Sequence, residues 1–380
     1  MPLIAAGTVV LEQGVCRPGW VYSSGTTIAG CGAGVPPRSP DVDLPDALVV
    51  PGFVDIHVHG GGGASFLTGK MSEVLRACAF HREHGTTATL ASLVTGPPEQ
   101  LVTAVRGLAE ATRAGIIAGI HLEGPWLSAA HCGAHDAAQM RDATPAEIDA
   151  LLTAGDGTIR MVTLAPERPG SEEAIARLVD AGVVVALGHT DATYEQTRQA
   201  IELGATVATH LFNAMPPLHH REPGPVLALL EDPRVTVELI ADGVHVHPAV
   251  VRTTVQAAGA DRVALVTDAI AAAGANDGEY QLGSVPVDVA QGVARVRGTS
   301  TIAGSTATMD RLFATAAGLG ADRDAALLAA VQLTSTTPAR AIGLAGAGAL
   351  HVGYDANLVV LERDLSVRAV MTGGDWAVEP

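Results

Sequence analysis

Four histidines and two carboxylates in this chain have the types and spacing to hold a divalent cation. His57 and His59 close the run Val54-Asp55-Ile56-His57-Val58-His59. Side chains of an extended segment alternate with a period of two, so both imidazoles project from one face. Glu123 ends His121-Leu122-Glu123, His189 follows Leu187-Gly188, His210 ends Ala208-Thr209-His210, and Asp268 ends Val266-Thr267-Asp268. Imidazole nitrogen and carboxylate oxygen together suit Zn²⁺ or a similar ion. An ion so held polarises a carbonyl and activates water for hydrolysis. Taken singly, a histidine at a strand end is more often a hydrogen-bonded structural residue than a ligand, the His-x-His pair reads either way, and Asp268 alone could be a helix cap. Their shared position, at the ends of separate apolar runs, points to a metal. His81 and His84 fall on a predicted helix and read as surface or satisfied side chains. His121 alternates in phase with Glu123 and reads as structural, while Cys132 stays open between a loop residue and a site residue.

For these groups to converge, the runs that carry them must be parallel strands of one sheet. The expected strands are Val54–His57, Thr87–Ala91, Ile116–Leu122, Ile159–Leu164, Val183–Leu187, Thr206–Thr209, Val235–Ile240 and Val263–Val266. Helix-length stretches lie between them near 72–84, 98–113, 145–154, 171–181, 193–203, 224–231 and 248–259, with Ser72 and Ser171 placed as N-caps. Eight doubly buried strands alternating with helices predict an α/β fold, a (β/α)₈ TIM-type barrel whose strand ends share one mouth. A doubly wound open sheet is the alternative. Short β segments at Val9–Leu11, Trp20–Tyr22 and Thr27–Ala29, with 357–361 and 370–371, predict a small β-sandwich domain built from both termini. Val35 to Pro45 reads as loop or edge material. The expected division is 1–50 plus 350–380 for the small domain and 51–349 for the barrel. Further β segments fall at 280–287 and 292–296, and a helical stretch runs from about 308 to 343.

Composition narrows the function. The chain has 380 residues, 48% of them apolar and 17% charged, which supplies a large core and excludes a disordered chain. A net charge of −17 repels phosphate backbones and argues against nucleic acid. No apolar stretch reaches the roughly 18–20 residues a membrane span needs. The N-terminal run has no basic segment ahead of it, and the four cysteines show no Cys-x-x-Cys spacing. Together these features predict a cytoplasmic protein with reduced thiols. Lys70 is the only lysine.

The sequence resembles the amidohydrolase superfamily, in which a strand-1 His-x-His follows Pro-Gly-Phe-x-Asp, here Pro51-Gly52-Phe53-Val54-Asp55 ahead of His57 and His59. Within it, the segments 119–126, 188–194, 208–216, 221–224, 241–246 and 266–269, and Ala303-Gly304-Ser305 with Met309, are similar to the family of N-acetylglucosamine-6-phosphate deacetylases. That resemblance covers residue 50 to the C-terminus. It implies metal-dependent hydrolysis of the N-acetyl group of N-acetylglucosamine 6-phosphate, giving glucosamine 6-phosphate and acetate. Rival expectations are the galactosamine epimer, another acyl or cyclic amide, and a non-catalytic scaffold on the same fold.

The resemblance also implies roles. The metal would be Zn²⁺ foremost, one or two ions per subunit, held by His57, His59, Glu123, His189, His210 and Asp268. Lys70 lies in the first strand–helix region, so no carboxylated lysine bridges the ions, and Glu123 takes the shared place. Some relatives lack His-x-His and bind one metal through the counterparts of Glu123, His189 and His210; His57 and His59 leave room here for a second. Asp268 would move the proton, and His135 would contact the carbonyl. Asn213, Ala214, Arg221, His245, Ala303 and Met309 would contact the phosphorylated sugar. Arg221 and His245 would do so from the neighbouring subunit of a homodimer. Loop 128–136 is expected to act as a lid.

Overall fold

Runs of Val, Ile, Leu and Ala that cannot face water on either side become eight strands. They are Phe53–Val58, Thr86–Val94, Gly119–Glu123, Ile159–Leu164, Val184–Leu187, Ala205–Ala208, Thr236–Leu239 and Val263–Leu265, here barrel strands 1 to 8. The computed structural model describes residues 2–380. Strands 1 to 8 are neighbours in the sheet in their chain order. The first and last meet beyond their ends, where Asp268 N–H donates to His57 C=O and His59 N–H to Ala269 C=O, both at 2.8 Å. This is the expected eight-stranded parallel barrel, and the open-sheet alternative falls with that closure.

Helices Met71–Glu83, Pro98–Arg113, Pro145–Gly155, Ser171–Asp180, Tyr194–Glu202, Gly224–Glu231 and Pro248–Ala258 follow strands 1 to 7. Their apolar residues recur at helical spacing; Leu101, Ala104, Val105 and Leu108 form one buried stripe. Thr193 and Gln196 form a reciprocal capping box. Two expected caps are corrected. The first helix starts at Met71, so Ser72 lies inside it. Gly170 caps the fourth, and the Ser171 hydroxyl donates instead to Ala165 C=O at 2.8 Å. After strand 8, Gly278–Leu282, Val285–Ala290 and Val293–Val296 form a three-stranded antiparallel sheet.

The two termini build a second, eight-stranded sheet from Leu3–Leu11, Gly14–Cys16, Gly19–Ser24, Thr27–Ala33, Val42–Pro51, Leu358–Leu361, Val367–Thr372 and Asp375–Val378. It doubles back on itself. Ile28 N–H donates to Tyr354 C=O and Ala356 N–H to Thr26 C=O, both at 2.8 Å. Val21, Ile28, Leu358, Val360 and Met371 therefore share one buried core, with the two halves of the sheet as sandwich layers. The stretch expected as loop or edge, Val35 to Pro45, contains the start of a central strand, since Val42–Pro51 pairs with Leu3–Leu11 on one side and Leu358–Leu361 on the other. Pro45 is tolerated because the register slips there, between Ala6 and Thr8. Gly7 sits in the slip, where a Cβ would lie 2.0 Å from Pro45 C=O.

By contact density the chain forms two units. One comprises the chain up to Asp55, Ala79–Ala88 and Thr308–Pro380; the other comprises Ile56–Cys78 and Thr89–Ala307. In this division the helices Met309–Ala317, Arg323–Val331 and Thr337–Ala341 group with the terminal sheet. Among the described residues no helix is long and apolar enough to cross a membrane.

Candidate metal centre

The site lies wholly within the second unit, at the C-terminal ends of the barrel strands. His57 and Glu123 end or nearly end strands 1 and 3, and His189, His210 and Asp268 follow strands 5, 6 and 8. The last three adopt left-handed backbone conformations, with φ of 48°, 26° and 49°. Most side chains avoid that region, at roughly 1–3 kcal/mol each, although Asn, Asp and His enter it more readily than others. At these positions the chain leaves the extended conformation abruptly, and the turn brings the side chain into the mouth. Gly304 permits a close approach beside them, since a Cβ there would lie 2.8 Å from Asp268 C=O and 2.7 Å from Ile270 Cγ2.

Glu123 stands at the centre. Its Oε1 lies 3.0 Å from His189 Nε2 and 2.9 Å from His210 Nε2. Its Oε2 lies 3.1 Å from His59 Nε2, 3.4 Å from His57 Nε2 and 3.3 Å from His135 Nε2. Asp268 Oδ1 is 3.1 Å from His59 Nε2 and 3.6 Å from His57 Nε2. Candidate ligand atoms of His57, His59, Glu123 and Asp268 lie within 4.8 Å of one another, as do those of Glu123, His135 and His189. Among the described residues every ion-pair partner of Glu123 and Asp268 is a histidine. Buried carboxylates facing imidazoles, with no arginine or lysine against them, are the donor set of a divalent cation. The residues fit one ion between Glu123, His189 and His210 and a second between His57, His59, Glu123 and Asp268.

The remote ring nitrogens favour that orientation. His59 Nδ1–H donates to Ser92 C=O at 3.2 Å and His189 Nδ1–H to His131 C=O at 2.9 Å, which leaves each Nε2 facing the centre. His57 Nδ1 lies 3.1 Å from Glu238 Oε2. His135 has the opposite tautomer. Its Nδ1 accepts the backbone N–H of Thr95 at 3.2 Å, so in the neutral ring the proton sits on Nε2. Burial first, then the neighbouring His189 and His59, holds this imidazole at about 4 against the pull of Glu123. In the neutral ring His135 thus presents Nε2–H toward the centre, 3.3 Å from Glu123 Oε2.

The same field sets the other charges. Burial pushes Asp268 upward, but the His59 hydrogen bond and the charges of His57 and His59 outweigh it and hold the carboxyl at about 2. Glu123 lies well below its ordinary value, burial being outweighed by His57, His135 and His189. His59 rises to about 9, because its bonds to Asp268 and Glu123 overcome the burial that would discharge it.

A cavity of about 400 Å³ opens over this cluster, within the usual range for a small ligand. His59, Glu123, His135, His189, His210 and Asp268 line it, with Asn213, Ala214 and His245. Asp242 accepts the N–H of His245 at 2.8 Å and pairs with its Nδ1 at 2.7 Å, which fixes that ring. His245 lines the cavity of its own chain. Arg221 is exposed on a separate cleft with Asp191, Tyr194 and Glu222, and its guanidinium contacts His220 at 2.8 Å. Ala303 and Met309 are buried and are not among the residues lining the cavity. Loop 128–136 does line it, and its Asp136 accepts the Ser284 hydroxyl at 2.8 Å.

Sequence reasoning missed Thr95, Glu238 and the 300–302 segment of the cavity wall. Glu238 carried a signal, as a lone acid inside the apolar run Val237-Glu238-Leu239, fully buried in the structure. His121, read as structural, bonds Ser92 Oγ at 2.9 Å and Thr163 Oγ1 at 2.8 Å, which satisfies both ring nitrogens.

Residues 48–377 match the amidohydrolase family. The chain is 37% identical to an N-acetylgalactosamine-6-phosphate deacetylase of Escherichia coli O157:H7, covering 94% of this chain and 96% of the relative. It is 37% identical to an N-acetylglucosamine-6-phosphate deacetylase of Danio rerio, covering 88% and 85%. Among solved structures it is similar to a mutant N-acetyl-D-glucosamine-6-phosphate deacetylase of Mycobacterium smegmatis in complex with N-acetyl-D-glucosamine-6-phosphate. There the identity is 55% and the TM-score 0.98, over 100% of this chain and 99% of that one.

Proposed function

This chain belongs to the amidohydrolase family, and from that premise we propose that it removes the N-acetyl group of N-acetylglucosamine 6-phosphate, releasing acetate and glucosamine 6-phosphate. One observation carries the reading: an ionised carboxylate, Asp268, and a neutral imidazole donor, His135, face the same cavity across a cation-binding cluster. The ion we assign is Zn²⁺, one or two per subunit, held by Glu123, His189 and His210 and by His57, His59 and Asp268 with Glu123. When bound, such an ion polarises the acetamide carbonyl and makes water acidic enough to attack near neutral pH.

The remaining steps fall to the chain's own residues. Asp268, held ionised, takes the proton of the attacking water and returns it to the sugar nitrogen as the amide bond breaks. His135 Nε2–H donates to the carbonyl oxygen as negative charge develops there. His245, Asn213 and Ala214 line the cavity and offer the phosphate an imidazole and polar groups. The phosphate also calls for a guanidinium. Arg221, exposed and absent from its own chain's cavity, supports a homodimer in which it reaches the neighbouring site. Among the described residues no cysteine forms a disulfide, which supports a cytoplasmic setting.

The second reading is the galactosamine epimer, favoured by the Escherichia coli relative; the 55% identity to the glucosamine enzyme weighs against it. Acetate release from both epimeric sugar phosphates, before and after chelation and after Zn²⁺ is restored, tests both. Faster release from the glucosamine substrate that vanishes on chelation and returns with metal is expected. Chelation-insensitive turnover, or none on either sugar, overturns the proposal.

A further inference from the structure

Glu238 is fully buried in barrel strand 7, two residues before Ile240, which lines the cavity, so its side chain points into the barrel interior beneath the site. Its Oε2 takes two contacts, His57 Nδ1 at 3.1 Å and the backbone N–H of His210 at 3.2 Å. Its Oε1 has no hydrogen-bond partner. Among the described residues no arginine or lysine pairs with it, and its one ion-pair partner is His57. A buried carboxylate so thinly satisfied is a net loss to stability unless positive charge stands nearby. Both of its contacts lead to candidate ligands, one in each half of the centre. His59 and His189 direct Nδ1–H at backbone carbonyls; His57 alone directs it at a carboxylate.

We propose that Glu238 is a positioning residue for the cation held by His57 and His59. It fixes His57 with Nε2 toward the ion and, through its negative charge, strengthens that nitrogen as a donor. Its bond to the His210 N–H ties the strained backbone of the other half to the same carboxylate. The proposal rests on the metal-dependent reading above, but its test does not need turnover.

Chelated protein is titrated with Co²⁺ in competition with a chromophoric chelator, for wild type, Glu238→Gln and Glu238→Asp. Circular dichroism checks that each variant is folded. Glutamine keeps the volume and an oxygen able to accept from His57, so a role confined to orientation predicts no change. Charge support predicts that wild type binds two ions and that the weaker falls about 10- to 100-fold in Glu238→Gln. Glu238→Asp, which keeps the charge, should recover part of that loss. Two-ion binding by Glu238→Gln with wild-type affinities overturns the proposal, and so does a wild type that binds only one ion. Two-ion binding that weakens as expected, in a protein that deacetylates neither sugar phosphate, leaves the proposal standing and removes the deacetylase reading.

Discussion

Thr95 meets Nδ1 of His135 twice, with its backbone N–H at 3.2 Å and its hydroxyl at 3.0 Å, and the amide favours a neutral ring whose proton sits on Nε2. A main-chain amide can only donate, so His135 must present Nε2–H to the cavity. His135→Ala should lower kcat by about 10²–10³-fold, the range for losing one donor to a developing oxyanion, with metal content unchanged. His135→Gln, whose amide can donate, should recover part of the rate. A loss of metal equal to the loss of rate would make His135 a ligand instead.

Among the described residues Asp268 is the only carboxylate lining the cavity besides Glu123. Asp268→Asn should reduce kcat by about 10²–10⁴-fold, as expected on losing a general acid–base. Turnover by the purified variant above about a tenth of wild type would mean that another group moves the proton.

Protonation gives a separate handle on the metal-free protein. His59 is raised to about 9, so its stabilising contribution is complete below the ordinary imidazole value of about 6.5 and is lost as pH climbs through about 9. Asp268 is lowered to about 2, so its contribution is complete above the ordinary carboxyl value of about 3.9 and is lost as pH falls through about 2. His135, lowered to about 4, works against them and costs stability as pH falls from about 6.5 toward 4, so the Tm of chelated protein should peak near about pH 6.5 and decline on either side. Metal uptake at pH 7 should release protons, seen by calorimetry in buffers of different ionisation enthalpy. Proton-neutral uptake would show that the histidines are already uncharged.

Arg221→Ala should raise KM for the phosphorylated sugar far more than for N-acetylglucosamine itself. If Arg221 serves the neighbouring subunit, mixing this variant with Asp268→Asn should restore activity, because random hybrid dimers place both groups in about a quarter of the sites. No recovery, in a mixture shown to exchange subunits, would confine Arg221 to its own chain.

Much of the barrel was legible because its signal is periodic. Apolar runs alternate with helix-length stretches, and those of strands 3, 5, 6 and 8 are followed within two residues by Glu123, His189, His210 and Asp268, which places these four at one mouth. Other features lie outside that kind of signal. Thr95 meets His135 Nδ1 with its amide and its hydroxyl, and a lone threonine closing an apolar run gives no hint of what it faces. Glu238 interrupts an apolar strand, which marks it as odd without saying what it faces. His245 is held by Asp242 three residues earlier, a local ring orientation that spacing along the chain cannot encode. Pro45 hid a central strand because a register slip absorbs it.

The left-handed φ values of His189, His210 and Asp268 have a consequence for laboratory evolution. Glycine or asparagine would sit there with less backbone distortion. Selection for heat tolerance alone should gather such replacements at these three positions, each one hardening the scaffold while abolishing its chemistry. A stabilisation campaign should freeze them from the outset.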